Sequence, residues 1–256
     1  MDNKNSHTQD VNHKFSPHAG NYLTSQVHAQ GADLRQLASL LAPYPEARVV
    51  DLGCGAGHAS FTAASAVGSV IAYDLSQPML EVVRQAAAEK GLHNIDVQQG
   101  YAECLPFADG SIDIVISRYS AHHWHDVGQA LREVRRVLKP GGKVIIMDTC
   151  SPGHPLLDVH LQTVEKLRDT SHVRSYATGE WLQMFNEAGL RISQLSTDRL
   201  TLEFSSWVAR LSTPEHFVLA IRQLQQVSSQ EVVDYFAIQP DGTFQTDIVL
   251  IEGSRS

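Results

Sequence analysis

Cysteine is scarce in this chain. Cys54, Cys104 and Cys150 are the only three, and none stands in a C-x-x-C pair. An odd count argues against a disulfide framework, so a reducing, cytoplasmic home is expected. Long apolar runs are missing too, and no window approaches the roughly 20 apolar residues of a membrane span. The N-terminal MDNKNSHTQDVNHK lacks a secretory core, and residues 1–14 read as a disordered polar tail. Basic charge is also in deficit, with a net charge of −8 when histidine is neutral. A nucleic-acid binder usually carries a basic patch, so nucleic acid is not an expected partner. The one basic cluster is Arg132, Arg135, Arg136 and Lys139, interleaved with Leu131, Val134, Val137 and Leu138. It reads as the solvated face of an amphipathic helix. Internal repeats and low-complexity linkers are absent, leaving residues 15–256 as a single domain with one core.

What is present alternates. Arg48–Leu52 reads as a buried strand that turns through three glycines into a helix over about Ala59 to Ala66. Ser69–Asp74 follows as a second strand, then a helix capped by Ser76 or Asp74 and stopped by Gly91. Ile95–Gln99 is a third strand, and the apolar run Ile112–Ser117 a fourth, buried on both faces. A helix over Asp126–Leu138 ends at Lys139-Pro140-Gly141-Gly142, and Lys143–Asp148 is the fifth strand. Strands alternating with helices imply parallel pairing and a doubly wound α/β sheet. Leu156–Arg168 and Thr178–Ala188 read as helices, the latter with Thr178 as its cap. Leu190–Ser196 and Thr243–Ile251 are the sixth and seventh strands. Residues 205–235 hold two or three short helices, expected over the carboxyl ends of the strands where such sheets bind ligands.

The most telling stretch is Val49-Val50-Asp51-Leu52-Gly53-Cys54-Gly55-Ala56-Gly57-His58. Glycine lets a ligand approach the main chain, and the helix start beyond it presents unpaired N–H groups. A dinucleotide loop, G-x-G-x-x-G, needs glycine where this chain has His58. The stretch instead resembles the first motif of the class I S-adenosylmethionine-dependent methyltransferases. Asp51 then stands where it can face a ligand amine. Asp74, at the end of the second strand, suits a ribose diol, with helix capping as its other use. Leu75 and Met79 pack on adenine or in the core.

Further segments carry the resemblance. Gly100-Tyr101-Ala102-Glu103-Cys104-Leu105-Pro106-Phe107 is similar to the family's adenine-holding G-D-A-E-x-L-P-F, with Tyr101 replacing the aspartate. It implies that Tyr101 stacks or donates, that the Ala102 amide meets an adenine nitrogen, and that Glu103 braces the loop. Ser117–Trp124 resembles S-x-x-A-x-H-H-W beside the methyl group, placing Arg118 on the cofactor and one histidine, His122, toward substrate. His123 and Trp124 are expected to pack on the following helix. No acidic or thiol ligand joins His122, His123 and His125 at a closed-site spacing, so no metal is expected. Upstream, Phe15-x-x-x-Ala19-x-x-Tyr22 resembles a helix that closes over the cofactor. Tyr22 would reach its carboxylate, with Gln26, His28 and Gln30 at the pocket mouth.

Together these segments run from about Phe15 to Gly189 and closely resemble the small-molecule methyltransferases acting on quinone precursors and sterols. The resemblance implies a Rossmann-like seven-stranded sheet with the last strand antiparallel, S-adenosyl-L-methionine as cofactor, and direct displacement by O, N or C of a small-molecule substrate. Residues 205–235, with Phe204, Trp207, Phe217, Leu219 and Ile221, would form an apolar lid, a packed subdomain or a homodimer surface. A non-catalytic cofactor-binding scaffold and an NAD-dependent oxidoreductase are the rival readings.

Overall fold

The computed structural model describes His7 and residues 31–256. The helix expected around Phe15 and Tyr22, with Gln26, His28 and Gln30, lies outside the described residues. From residue 31 the chain runs α1 (Ala32–Leu41), β1 (Arg48–Leu52), α2 (His58–Ala64), β2 (Ser69–Asp74), α3 (Gln77–Glu89), β3 (Ile95–Gln99) and β4 (Ile112–Arg118). It continues through a single 3-10 turn (Ala121–His123), α4 (Val127–Val137), β5 (Leu138–Cys150), α5 (Pro155–Arg168), α6 (Thr178–Glu187) and β6 (Leu190–Leu202). Three helices, α7 (Phe204–Ala209), α8 (Glu215–Val227) and α9 (Gln230–Phe236), precede the last strand, β7 (Phe244–Arg255).

The seven strands form one sheet in the order β3-β2-β1-β4-β5-β7-β6. β1 to β5 pair in parallel, and β7 enters antiparallel between β5 and β6. Successive β4 residues explain why its apolar run is continuous. Val115 packs with Val50 and Leu52 beneath α4 and α6, whereas Ile114 and Ile116 pack with Val49 beneath α1 and α2. A strand covered on both faces has no polar side to show. β1 therefore ends in the middle of the sheet, and its loop opens at the carboxyl edge beside the loops of β2 and β4.

Several local expectations are corrected. Thr178 does not cap its helix: Ala177 holds that place, and the Glu180 carboxylate accepts the Ala177 N–H at 2.8 Å. β6 extends six residues beyond Ser196 through a polar stretch, because residues 197–202 pair with 244–249 at an edge where no apolar run is required. Arg136 is not merely solvated. It bonds the carbonyls of Leu105 and Phe107 and the carboxylates of Glu133 and Asp109, fastening the loop after β3 to α4. The helices between β6 and β7 pack on α5, burying Phe204, Trp207 and Ile221 with Val164, Leu202 and Phe244. Leu219 stays exposed. Among the described residues no helix is long and apolar enough to cross a membrane.

Candidate functional site

The loops after β1, β2, β3 and β4 surround a cleft of about 1180 Å³, counted to its open mouth. Asp51, Gly53, Gly55, Asp74, Leu75, Met79, Tyr101, Ala102, Glu103 and Arg118 all line it. His58, opening α2, lines it as well, as do Tyr119 and His123. His122 does not, and neither does any residue of α7, α8 or α9.

The glycine loop works by shape. Gly55 has φ +51°, and a Cβ placed on it would meet nothing within 4 Å, so the vacant side of this residue is the cleft itself. Gly53 has φ +71°, but its missing side chain makes room for protein: a Cβ would lie 1.8 Å from the Ser120 hydroxyl oxygen. Gly53 therefore lets the β1 and β4 loops close together.

Two carboxylates flank this loop. Asp51 is fully buried, and its Oδ2 accepts the Ser60 hydroxyl at 2.6 Å. Its Oδ1 is buried with no hydrogen-bond partner among the described residues. Burial pushes the Asp51 carboxyl up to about 7, and neighbouring Asp74 adds to the rise, against the opposing Ser60 bond. An orphaned carboxylate oxygen in such a place has a free-energy cost that only a proton or a donor ligand removes. Asp74 uses Oδ2 for the Gly55 N–H and Oδ1 for the Ser76 N–H, both at 2.8 Å. Burial raises its carboxyl as well, with the Ser76, Gly55 and Leu75 N–H groups acting the other way. Each oxygen keeps a further lone pair for a hydroxyl. The cap of α3 is the Ser76 side chain, which accepts from Met79 N, so Asp74 is spared that task.

The β3 side of the cleft is held from below. The Tyr73 hydroxyl donates to the carbonyls of Tyr101 and Cys104 at 3.2 and 3.4 Å. Tyr101 is 52% exposed at the rim, whereas Ala102 is buried. Glu103, at the cleft's edge, accepts the N–H groups of His125 and Asp126 at 2.9 and 3.1 Å. On the β4 side the Arg118 guanidinium is bound to Asp33 of α1 at 2.5 Å. Ser60 and Asp33 are partners of site residues that the sequence did not announce, since no motif spacing marks a side chain brought in from a separate element. His122 stands behind the lining, with Nδ1 2.5 Å from Asp148 Oδ1 at the end of β5. The Asp148 carboxylate and two packed imidazoles occupy its surroundings, which is why it does not reach the cleft wall as His123 does.

Comparison with known proteins gives the family of the chain. Residues 50–146 match the family described as Methyltransferase domain. The chain is 61% identical over 204 residues to the uncharacterized protein YafE of Escherichia coli, covering 80% of this chain and 99% of that one. It is 38% identical over 247 residues to the uncharacterized methyltransferase YcgJ of Bacillus subtilis, covering 94% and 97%. The crystal structure of YcgJ superposes with a TM-score of 0.81 at 36% identity, covering 86% of this chain and 98% of that chain. A putative methyltransferase from Bacillus halodurans gives 0.84 at 30% identity, covering 88% and 99%. The chain thus belongs to the class I S-adenosylmethionine-dependent methyltransferases.

Proposed function

We propose that the cleft binds S-adenosyl-L-methionine and that the chain directs its methyl group to an O, N or C atom of a small molecule. The observation that carries this is the unpartnered Oδ1 of buried Asp51 beside the open side of Gly55. An ammonium group supplies the donor and the positive charge that this oxygen lacks, and Asp51 is the residue assigned to the methionine end. Asp74 takes the ribose diol through its remaining lone pairs. Leu75, Met79 and Tyr101 offer surface to adenine, and the Ala102 amide meets its ring edge. Glu103 and Arg118 act as braces, through the α4 N-terminus and Asp33 respectively, with Arg118 reaching the cofactor only by main chain. Two neighbouring buried carboxylates disfavour a pyrophosphate in the same loop, which argues against an NAD enzyme.

When bound, the sulfonium supplies an activated methyl carbon, and the electron pair of the breaking C–S bond goes to sulfur. The chain's part is alignment and exclusion of water, worth roughly 7–11 kcal/mol in effective-molarity terms. Among the relatives, 34% identity over 142 residues links this chain to the demethylmenaquinone methyltransferase of Lactococcus lactis, covering 53% of this chain and 56% of that protein. That likeness supports a small organic acceptor. Free thiols at Cys54, Cys104 and Cys150 support a reducing, cytoplasmic setting. The test is transfer of a labelled methyl group from S-adenosylmethionine into a small-molecule extract. A labelled low-mass product that Gly55→Val fails to form is the expected outcome; label confined to protein or nucleic acid contradicts it.

A further inference from the structure

Tyr119 stands between two spaces. One is the cleft; the other, of about 670 Å³ counted to its open mouth, lies further along the carboxyl edge of the sheet. Tyr119 lines both. Its φ is +50°, a left-handed conformation that a tyrosine keeps only where the surrounding structure imposes it. Its N–H donates to the Met147 carbonyl at 2.8 Å, and its hydroxyl bonds to the Asp33 carboxylate. The Arg118 guanidinium, bound to the same Asp33, lies 4.8 Å from the centre of the Tyr119 ring. Arg118 lines the cleft and Asp33 lines the second cavity, so these three residues form the partition.

Strand register explains the floor of this cavity. Met147 pairs with Leu250 and Leu250 with Ser196, so the three lie in one row across β5, β7 and β6. Ile248 and Asp198 form a row two residues on, and residues two apart share a face. α1 covers the inner part of that face, packing Leu34, Leu37 and Leu41 with Met147 and Leu250. Arg199, one position along from Asp198, sends its side chain to the opposite face. There its guanidinium donates to Asp247 at 2.7 Å and to the Tyr235 carbonyl, 4.9 Å from the centre of the Tyr235 ring. Among the described lining residues, then, the carboxylates are Asp33 and Asp198, and the single cationic residue has its charge engaged elsewhere.

We propose that this second cavity holds the methyl acceptor, and that it selects a ring-bearing small molecule with hydroxyl or amino donors and no acidic group. This rests on the methyl-transfer reading. The apolar row of Met147, Leu250 and Ile248 takes the ring, and Asp33, Asp198 and Ser196 accept from its donors. A phosphate or carboxylate would lose water beside two carboxylates with no cation to replace it, which disfavours such acceptors. Tyr119, the wall common to both spaces, is where acceptor and cofactor meet. The acceptor's lone pair forms the new bond to the methyl carbon, the C–S pair goes to sulfur, and the acceptor's proton leaves to water at the open mouth.

Two methionines report the two spaces separately, Met79 in the cleft and Met147 in the second cavity. Carbon-13 methyl NMR of the full chain, with the resonances assigned through M79L and M147L, reads both without turnover. S-Adenosylhomocysteine should move Met79. 2-Naphthol, added to that complex, should then move Met147, whereas 2-naphthoic acid, of the same shape but anionic, should not. Ser196→Trp fills the cavity from a half-buried edge-strand position. It should weaken 2-naphthol by at least about tenfold, the scale of one lost apolar contact, and leave S-adenosylhomocysteine affinity unchanged. The same variant should form less labelled product from the small-molecule extract. A Met147 resonance indifferent to 2-naphthol, or a 2-naphthol response undiminished in S196W, overturns the site. An equal response to 2-naphthoic acid overturns the selection against acids, and wild-type labelling by S196W overturns the acceptor role. Failure of S-adenosylhomocysteine to move Met79 sinks the cofactor reading instead, an outcome distinct from all of these.

Discussion

The two ends of the cleft are built differently. Toward β2 and β3 it is made of main chain and of acids at strand ends: the open side of Gly55, the Ala102 amide, Asp51 and Asp74. Toward β4 it is made of side chains that bond to one another, Arg118 to Asp33 and the Trp124 indole N–H to the Ser120 hydroxyl. The first construction suits a ligand that never changes, because main-chain shape tolerates replacement of the side chains around it. The helices α7 to α9 stand further out still, with a small core of their own against α5.

Substitutions can break this contrast, starting with the most severe. Gly55→Val should abolish measurable S-adenosylhomocysteine binding, because it adds a left-handed backbone penalty of roughly 1–2 kcal/mol to a branched side chain in the ligand's space. Circular dichroism should remain that of the native fold, and retained binding would place the ligand elsewhere. Trp207→Ala removes a side chain that is 2% exposed in the helical unit. It should cost about 3–5 kcal/mol of stability in denaturant titration. Cofactor affinity should stay at the wild-type level where the variant is folded; a matching loss of affinity would join the two regions.

Asp51→Asn should separate stability from binding. In the folded chain the Asp51 carboxyl stands at about 7 against an ordinary 3.8. The folded value is the higher one, so its contribution to the stability of the free protein is complete below pH 3.8 and lost as pH rises through about 7. The asparagine variant, which never ionises, should melt several degrees above wild type at pH 8, reflecting roughly 2–4 kcal/mol. It should also bind S-adenosylhomocysteine more weakly. A lower melting point with unchanged affinity would contradict the assignment. Asp74→Ala should have the smallest effect of the four, about 1.5–3 kcal/mol of binding measured by calorimetry, the scale of a charge-assisted hydrogen bond. Wild-type affinity there would remove Asp74 from the ribose.

The same contrast decides what could be read from residues alone. Glycine spacing, an acid closing β1 and another closing β2 are demands of local backbone shape, and they leave a mark in order along the chain. The alternation of strands and crossover helices is equally local, so the sheet was legible through β5. Partners such as Asp33 for Arg118, 85 positions apart, follow only from the packing of α1 beside β4. Nothing near Asp51 marks Ser60 as its donor, since that contact depends on how α2 leans on β1. The polar half of β6 was hidden for another reason: an edge strand exposed to water needs no apolar pattern. His122 and His123 are adjacent and alike in type, and only the geometry of one short turn assigns one to the cleft and the other to Asp148.

Calorimetric titration of the full chain with S-adenosylhomocysteine and, separately, with NAD tests the central claim most directly. One micromolar site for S-adenosylhomocysteine, weakening as pH falls below 7 and Asp51 takes up its proton, with no heat from NAD, is the predicted result. Saturable NAD binding with no response to S-adenosylhomocysteine would contradict it.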